Sequence, residues 1–164
     1  PAGRGEIVRE GKDVCFLAYG SMVPVAAEAA TLLRARGIEA GVIHARFAKP
    51  LDGELLERAS RMAPRVLTVE EHLAAGGFGS AVLESFHERG LDPSGVRIHA
   101  IPDQFVEHSP QALQRRNFRL DPEGLVARVL ELWPELGAQA HTKESAAKAS
   151  GGKSDEKLAE IVSW

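Results

Sequence analysis

The sequence predicts an α/β fold: an open, mostly parallel sheet of about five strands with helices on both faces. Three observations predict it. Short β-branched runs alternate along the chain with amphipathic runs at helical spacing. The run Val14 to Tyr19 is apolar at every position, as a strand covered on both faces must be. Glycines, prolines and helix-capping residues fall at the seams between runs.

Each element can be justified in order. Ile7 to Arg9 reads as a short first strand, and Gly11-Lys12-Asp13 as the turn after it. The apolar run Val14 to Tyr19 follows and ends at Gly20-Ser21, where Ser21 is placed to cap a helix. Pro24 is tolerated in a first helical turn, and Val25, Ala29, Leu32 and Leu33 share one face. Gly37 sits where a C-terminal cap belongs. The cycle repeats with a strand over Ala40 to Ala45. Asp52 then caps a helix with Leu55, Leu56, Ala59 and Met62 inward, and Pro64 stops it. Arg65 to Val69 is the next strand. The turn Gly76-Gly77-Phe78-Gly79 leads into a helix from Ser80 to Arg89, with Val82, Leu83 and Phe86 inward and Gly90 closing. Val96 to Ile101 is the last strand. A final helix runs from Leu120 to Trp133, starting near Asp121-Pro122. Strands separated by single helices imply βαβ units and hence parallel pairing.

The composition changes after Trp133. Residues 1–133 read as one folded domain. Residues 134–164, rich in Ala, Lys, Ser, Gly and Glu, read as a low-complexity mobile tail with a short terminal helix. That helix would be capped by Ser154, with Leu158, Ile161 and Val162 on one face.

Composition excludes several classes. With 20 Lys and Arg against 23 Asp and Glu, no basic excess marks a nucleic-acid partner or an anionic membrane surface. No apolar stretch reaches the roughly 20 residues that span a bilayer. The single cysteine, Cys15, lies in an apolar run, reads as a small buried hydrophobe and fits a reducing, cytoplasmic compartment. No histidine pair has metal-ligand spacing.

Chemistry in open α/β sheets gathers at the carboxyl ends of the strands. Those ends are polar here: Ser21, Arg46 with Lys49, Glu70-Glu71-His72, and Asp103. They form either a charged binding edge or the ordinary polar rim where strands meet water. His72 and His108 fall in loops as candidate acid–base groups, while His44 and His99 fall in strands as structural residues. Glu70 and Glu71 are neighbours in a strand and point to opposite faces, so they need not act together. The turn around Gly76 and Gly77 either requires positive φ and close backbone approach or cradles an anion at a helix start. It lacks the spacing of a dinucleotide or Walker-type loop.

The order of motifs adds a resemblance. Gly11-Lys12-Asp13-Val14 with Ala18-Tyr19-Gly20-Ser21-Met22 resembles the opening of the C-terminal domain of the transketolase-like, thiamine-diphosphate-dependent enzymes. Arg46-Phe47-Ala48-Lys49-Pro50-Leu51-Asp52 and Thr68-Val69-Glu70-Glu71-His72 through Gly79-Ser80 are similar to further segments of that domain. Pro102-Asp103-Gln104-Phe105-Val106-Glu107-His108 and Leu120-Asp121-Pro122-Glu123-Gly124 resemble the synthase branch of the family. Members of that branch make 1-deoxy-D-xylulose 5-phosphate from pyruvate and glyceraldehyde 3-phosphate with loss of carbon dioxide.

The resemblance implies that thiamine diphosphate and Mg²⁺ are held by two preceding domains. The present domain then serves assembly and the shaping of a homodimer, with those preceding domains as partners and no cofactor bound by this chain alone. No Gly-Asp-Gly with a downstream Asn occurs, so no catalytic, cofactor or metal residue is carried over. The expected assembly edge comprises Ser21, Arg46, Lys49, Glu71, His72, Gly76, Gly77, Asp103 and His108. The competing readings are the equivalent domain of a 2-oxoacid dehydrogenase β-subunit or a transketolase, and a freestanding, non-enzymatic interaction module. The dehydrogenase usually has Thr where Phe47 stands.

Overall fold

The computed structural model describes residues 3–138, and the terminal-helix and tail expectations past residue 138 lie outside the described residues. Ten elements follow in chain order: β1 (Glu6–Arg9), β2 (Val14–Ala18), α1 (Met22–Arg34), β3 (Ala40–His44), α2 (Gly53–Met62), β4 (Val66–Leu73), α3 (Phe78–Glu88), β5 (Val96–Ile101), α4 (Gln111–Asn117) and α5 (Pro122–Leu132). They form one five-stranded sheet in the order β1-β3-β2-β4-β5. β1 runs antiparallel to β3 at one edge, and the other pairings are parallel. This is the open, mostly parallel sheet that the alternation predicts.

The central strand explains the continuous apolar run. Successive residues of a strand face opposite sides of its sheet. Val14, Phe16 and Ala18 pack with α1 and α5 on one face. Cys15 and Leu17 pack with α2 and α3 on the other. Every residue of β2 is buried, so no position along it tolerates a polar side chain. Helix faces follow the same logic: Met22, Ala26, Ala29, Ala30 and Leu33 of α1 are buried against β2 and β3.

Local chemistry sets the helix ends. Asp52 caps α2 by accepting from the Leu55 amide at 3.2 Å, and Asp121 caps α5 by accepting from the Gly124 amide at 3.0 Å. Gly37 and Gly90, just past α1 and α3, take positive φ as C-terminal glycines do.

Three expectations change. Ser21 precedes α1 but makes no side-chain cap; its hydroxyl is committed elsewhere. α3 begins at Phe78 rather than Ser80. α4 was not foreseen, because its seven residues carry no apolar periodicity and none of them is buried. Packed structure also continues past Trp133: Leu136 is buried among the α1–α5 residues, and Glu135 pairs with Arg65 at 2.8 Å.

Candidate functional site

The sheet order places a topological switch between β2 and β4. The chain leaves β2 for β3 on one side and returns to β4 on the other. Ligand and partner sites of open α/β sheets form in the crevice outside such strand ends. Here the crevice is lined by Tyr19 after β2, Lys49 after β3, and Glu70 and His72 towards the end of β4.

Glu70 and Glu71 diverge as strand neighbours should. Glu70 turns inward, is 1% exposed, and meets the start of α3. One carboxylate oxygen accepts from the Phe78 amide and the other from the Gly79 amide, both at 2.7 Å. The first amides of a helix have no partner within the helix and carry the positive end of its dipole, so they favour an anion. The protein supplies that anion from its own strand. The cradle that the glycine turn suggested is therefore filled from within.

The two glycines have separate reasons. Gly76 takes φ +71, a conformation that side chains with a Cβ rarely adopt. Gly77 has ordinary φ, but a Cβ there would collide with the Leu73 carbonyl and come within 2.6 Å of the Glu70 carboxylate. Ser80 fastens the turn: its hydroxyl accepts from the Gly76 amide and donates to the Ala74 carbonyl. The Tyr19 ring stacks on Phe78, with centroids 5.3 Å apart. A cavity of about 380 Å³ opens above, lined by Tyr19, Lys49, Glu70, His72, Gly76 and Gly77 among others.

Glu71 points the opposite way. Its carboxylate takes a two-pronged bond from Arg115 of α4, Nε to Oε1 at 2.6 Å and Nη2 to Oε2 at 2.8 Å. Ser21 donates its hydroxyl to the same Oε2. The Arg115 hydrogen bonds, with help from Ser21, hold the Glu71 carboxyl below the usual carboxylate range, and partial burial only partly opposes them. This cluster ties the ends of β2 and β4 to α4.

The nine expected edge residues thus fall into groups. Lys49, His72, Gly76 and Gly77 share the cavity beside Glu70. Ser21 and Glu71 share the Arg115 cluster. Asp103 and His108 lie exposed on the segment between β5 and α4. Arg46 stands apart, exposed and at φ 62 after β3. His44 lies 3.3 Å from Glu6, and buried His99 bonds the Arg119 carbonyl at 2.8 Å, so both strand histidines are structural. Burial lowers the His99 pKa and pushes the Cys15 thiol up to about 12.

Sequence reasoning missed three residues. Glu70 was seen without its role, because its partners are backbone amides that any sequence has. Arg115 was missed with α4; Pro110 before a run of good helix formers was the available signal. Phe105 has no sequence signal beyond the Pro102–His108 motif, yet it stands 99% exposed.

Comparisons with known proteins agree with this architecture. Residues 3–125 match the family described as "Transketolase, C-terminal domain". The 1-deoxy-D-xylulose-5-phosphate synthase of Heliobacterium modesticaldum is 49% identical over 129 residues, covering 79% of this chain and 20% of that protein. The synthase of Symbiobacterium thermophilum is 45% identical over 158 residues, covering 93% of this chain and 24% of that protein. A solved structure titled "Split gene transketolase, inactive beta4 tetramer" superposes with a TM-score of 0.72 at 41% identity, covering 80% of this chain and 42% of that one. The chain spans about a fifth to a quarter of the length of these synthases.

Proposed function

The chain belongs to the family of transketolase C-terminal domains, and on that footing we propose that it is the C-terminal domain of a 1-deoxy-D-xylulose-5-phosphate synthase. Its work is assembly rather than the chemical step. The observation that carries this reading is 43–49% identity, along most of the chain, to about a fifth of the length of proteins bearing that name. The parent reaction joins pyruvate, with loss of carbon dioxide, to glyceraldehyde 3-phosphate. Thiamine diphosphate and Mg²⁺ would be held by the upstream part of the parent, which would work as a homodimer in the cytoplasm. The tetramer named for the solved relative supports an assembling role for the portion of a transketolase that carries this domain.

The described residues do not fit the cofactor. A thiamine diphosphate site needs oxygen ligands around a divalent ion and donors for the diphosphate. Among the described residues no group of three His, Cys, Asp or Glu side chains is placed to hold a metal ion. The amides at the start of α3, the ready anion seat, already bond Glu70. Glu71 is likewise committed to Arg115. No step of the reaction is assigned to this chain.

Titration calorimetry of the chain with Mg²⁺ and thiamine diphosphate, beside a turnover assay, tests the reading. The expected result is no tight binding and no synthesis by the chain alone. Synthesis should appear when the upstream portion of the Heliobacterium enzyme is supplied as a separate polypeptide. Micromolar cofactor binding or synthesis by the chain alone would overturn the reading. Transketolase turnover in place of synthase turnover in the reconstituted pair would move the chain to the other branch.

A further inference from the structure

The turn between α4 and α5 carries a strained residue with a buried partner. Two residues other than glycine take positive φ among the described residues, and Arg119, at φ 56, is one of them. Side chains with a Cβ rarely adopt that conformation. Here it closes α4. The Arg119 amide donates to the Arg116 carbonyl at 3.1 Å, and the Leu120 amide donates back to the Arg115 carbonyl at 2.7 Å. These are the two bonds of a helix end that glycine usually makes, formed here with arginine in its place. Leu120 then enters the α1–α5 core, 1% exposed.

His99 holds that turn from the sheet. It lies on β5 opposite Val69 of β4, on the face that α5 covers. Its ring is buried, and Nε2 lies 2.8 Å from the Arg119 carbonyl oxygen. A carbonyl can only accept, so Nε2 carries the hydrogen and donates it. A buried imidazole thus fastens the strained residue whose amide and the next one end α4.

The surroundings resist a second proton on the ring. Burial opposes it most, and Arg128 on α5 and Arg119 in the turn add to that. The Arg119 carbonyl and Glu131 on α5 favour the proton, but Glu131 is already paired with both arginines. Arg97, two residues back on β5, turns its guanidinium to the Ser94 and Val96 carbonyls. We propose that His99 is an acid-released latch on the α4–α5 turn: below neutral pH the imidazole takes up a proton by leaving its site, and the turn that ends α4 opens with it. α4 is the element this frees, since none of its residues is buried and its side-chain tie to β4 is the Arg115 fork. The latch belongs to this chain alone and does not depend on the synthase reading.

Linkage fixes the direction. In the closed turn the His99 pKa lies below its ordinary 6.5, and in the opened turn the ring meets water and regains that value. Well above 6.5 neither form is charged, and the latch is at full strength. As pH falls through 6.5 the opened form takes up a proton that the closed form refuses, so opening becomes easier until the lower, closed-state value is reached. Glu71 acts in a separate window, around and below its ordinary 4.5.

Amide exchange of the full 164-residue chain, corrected for the intrinsic rate at each pH, tests this beside an NMR titration of the His99 ring. The ring should titrate below 6.5. The Arg119 and Leu120 amides should be less protected than the Cys15 amide of β2, as a local opening requires. Their protection should fall by up to about tenfold per pH unit just below 6.5, the limit for one linked proton. His99→Gln keeps an N–H donor but has nothing to titrate, so Leu120 protection should stay flat across that window. His99→Leu removes the donor, and the Leu120 amide should exchange faster already at neutral pH. A ring that titrates at or above 6.5, a Leu120 amide as protected as that of Cys15, or an acid response that survives in His99→Gln would each overturn the proposal. The first two readouts need no variant, so they decide the matter even if a substituted chain does not fold.

Discussion

Helices α3 and α4 are held by adjacent carboxylates of one strand, yet they belong to different parts of the molecule. Glu70 is buried and bonds the first amides of α3, whose Phe78, Gly79, Val82 and Phe86 are buried. Glu71 is largely covered but reaches solvent, and it holds α4, none of whose residues is buried. Alternation along a strand separates the two roles by a single residue. The inward carboxylate completes the core. The outward one ties a helix that stays at the surface. A strand end in this fold can therefore anchor a buried helix and an exposed one with neighbouring residues.

The largest effect should come from the inward side. Glu70→Ala removes the acceptors of two buried amides and leaves them unsatisfied. Two charge-assisted bonds at 2.7 Å set the expected cost at about 4 kcal/mol. Glu70→Gln keeps one acceptor but turns its NH₂ toward the other amide, so it recovers only part of the loss. Urea unfolding at neutral pH measures both. A cost below that of Glu71→Ala would erase the contrast between the two sites.

Leu67→Ala comes next and gives the scale of the core itself. Leu67 is fully buried in β4 and belongs to the α1–α5 side of the core. Truncating it should cost about 3 kcal/mol, the transfer loss plus a residual cavity. An unchanged unfolding midpoint would show that β4 does not sit centrally.

How much of this was legible in the sequence follows the same divide. The strands, α1, α2, α5 and the sheet's parallel character were readable because burial imposes a period, and β2 had no polar position to hide it. Capping by Asp52 and the start of α5 near Asp121 were readable because a capping side chain acts on its own helix. Ser21 misled for the converse reason: its partner, Glu71, lies fifty positions away in sequence. Glu70's role was not readable because its partners are main-chain groups. α4 was not readable because no face of it is buried.

A smaller, pH-dependent effect should appear at the outward carboxylate. The Arg115 fork lowers the Glu71 carboxyl from its ordinary 4.5, so the folded state binds that proton less readily than the unfolded state. The stabilisation is then fully present above the ordinary value and is lost as pH falls through the lower folded value. Glu71→Gln should cost about 1–2 kcal/mol at neutral pH, as a two-pronged, partly solvated pair does. The gap between unaltered and Gln proteins should close in acid. A gap that is constant with pH would mean that the Glu71 charge contributes nothing.

The smallest effect is the most discriminating. Ser21 stands at the residue before α1, where a hydroxyl usually caps the helix, but its side chain makes no cap bond and donates instead to Glu71. Under either arrangement Ser21→Ala removes one hydrogen bond and should cost about 0.5–1 kcal/mol, so the single variant cannot separate them. The double variant can. If the hydroxyl acts through Glu71, the cost of Ser21→Ala should largely vanish in a Glu71→Ala background, because the acceptor has already gone. If the hydroxyl capped α1, the two costs would add, since a cap bond is indifferent to Glu71. A measured coupling below about 0.3 kcal/mol, the scatter expected of independent sites, would return Ser21 to the role its position suggests and detach β2 from the cluster that holds α4.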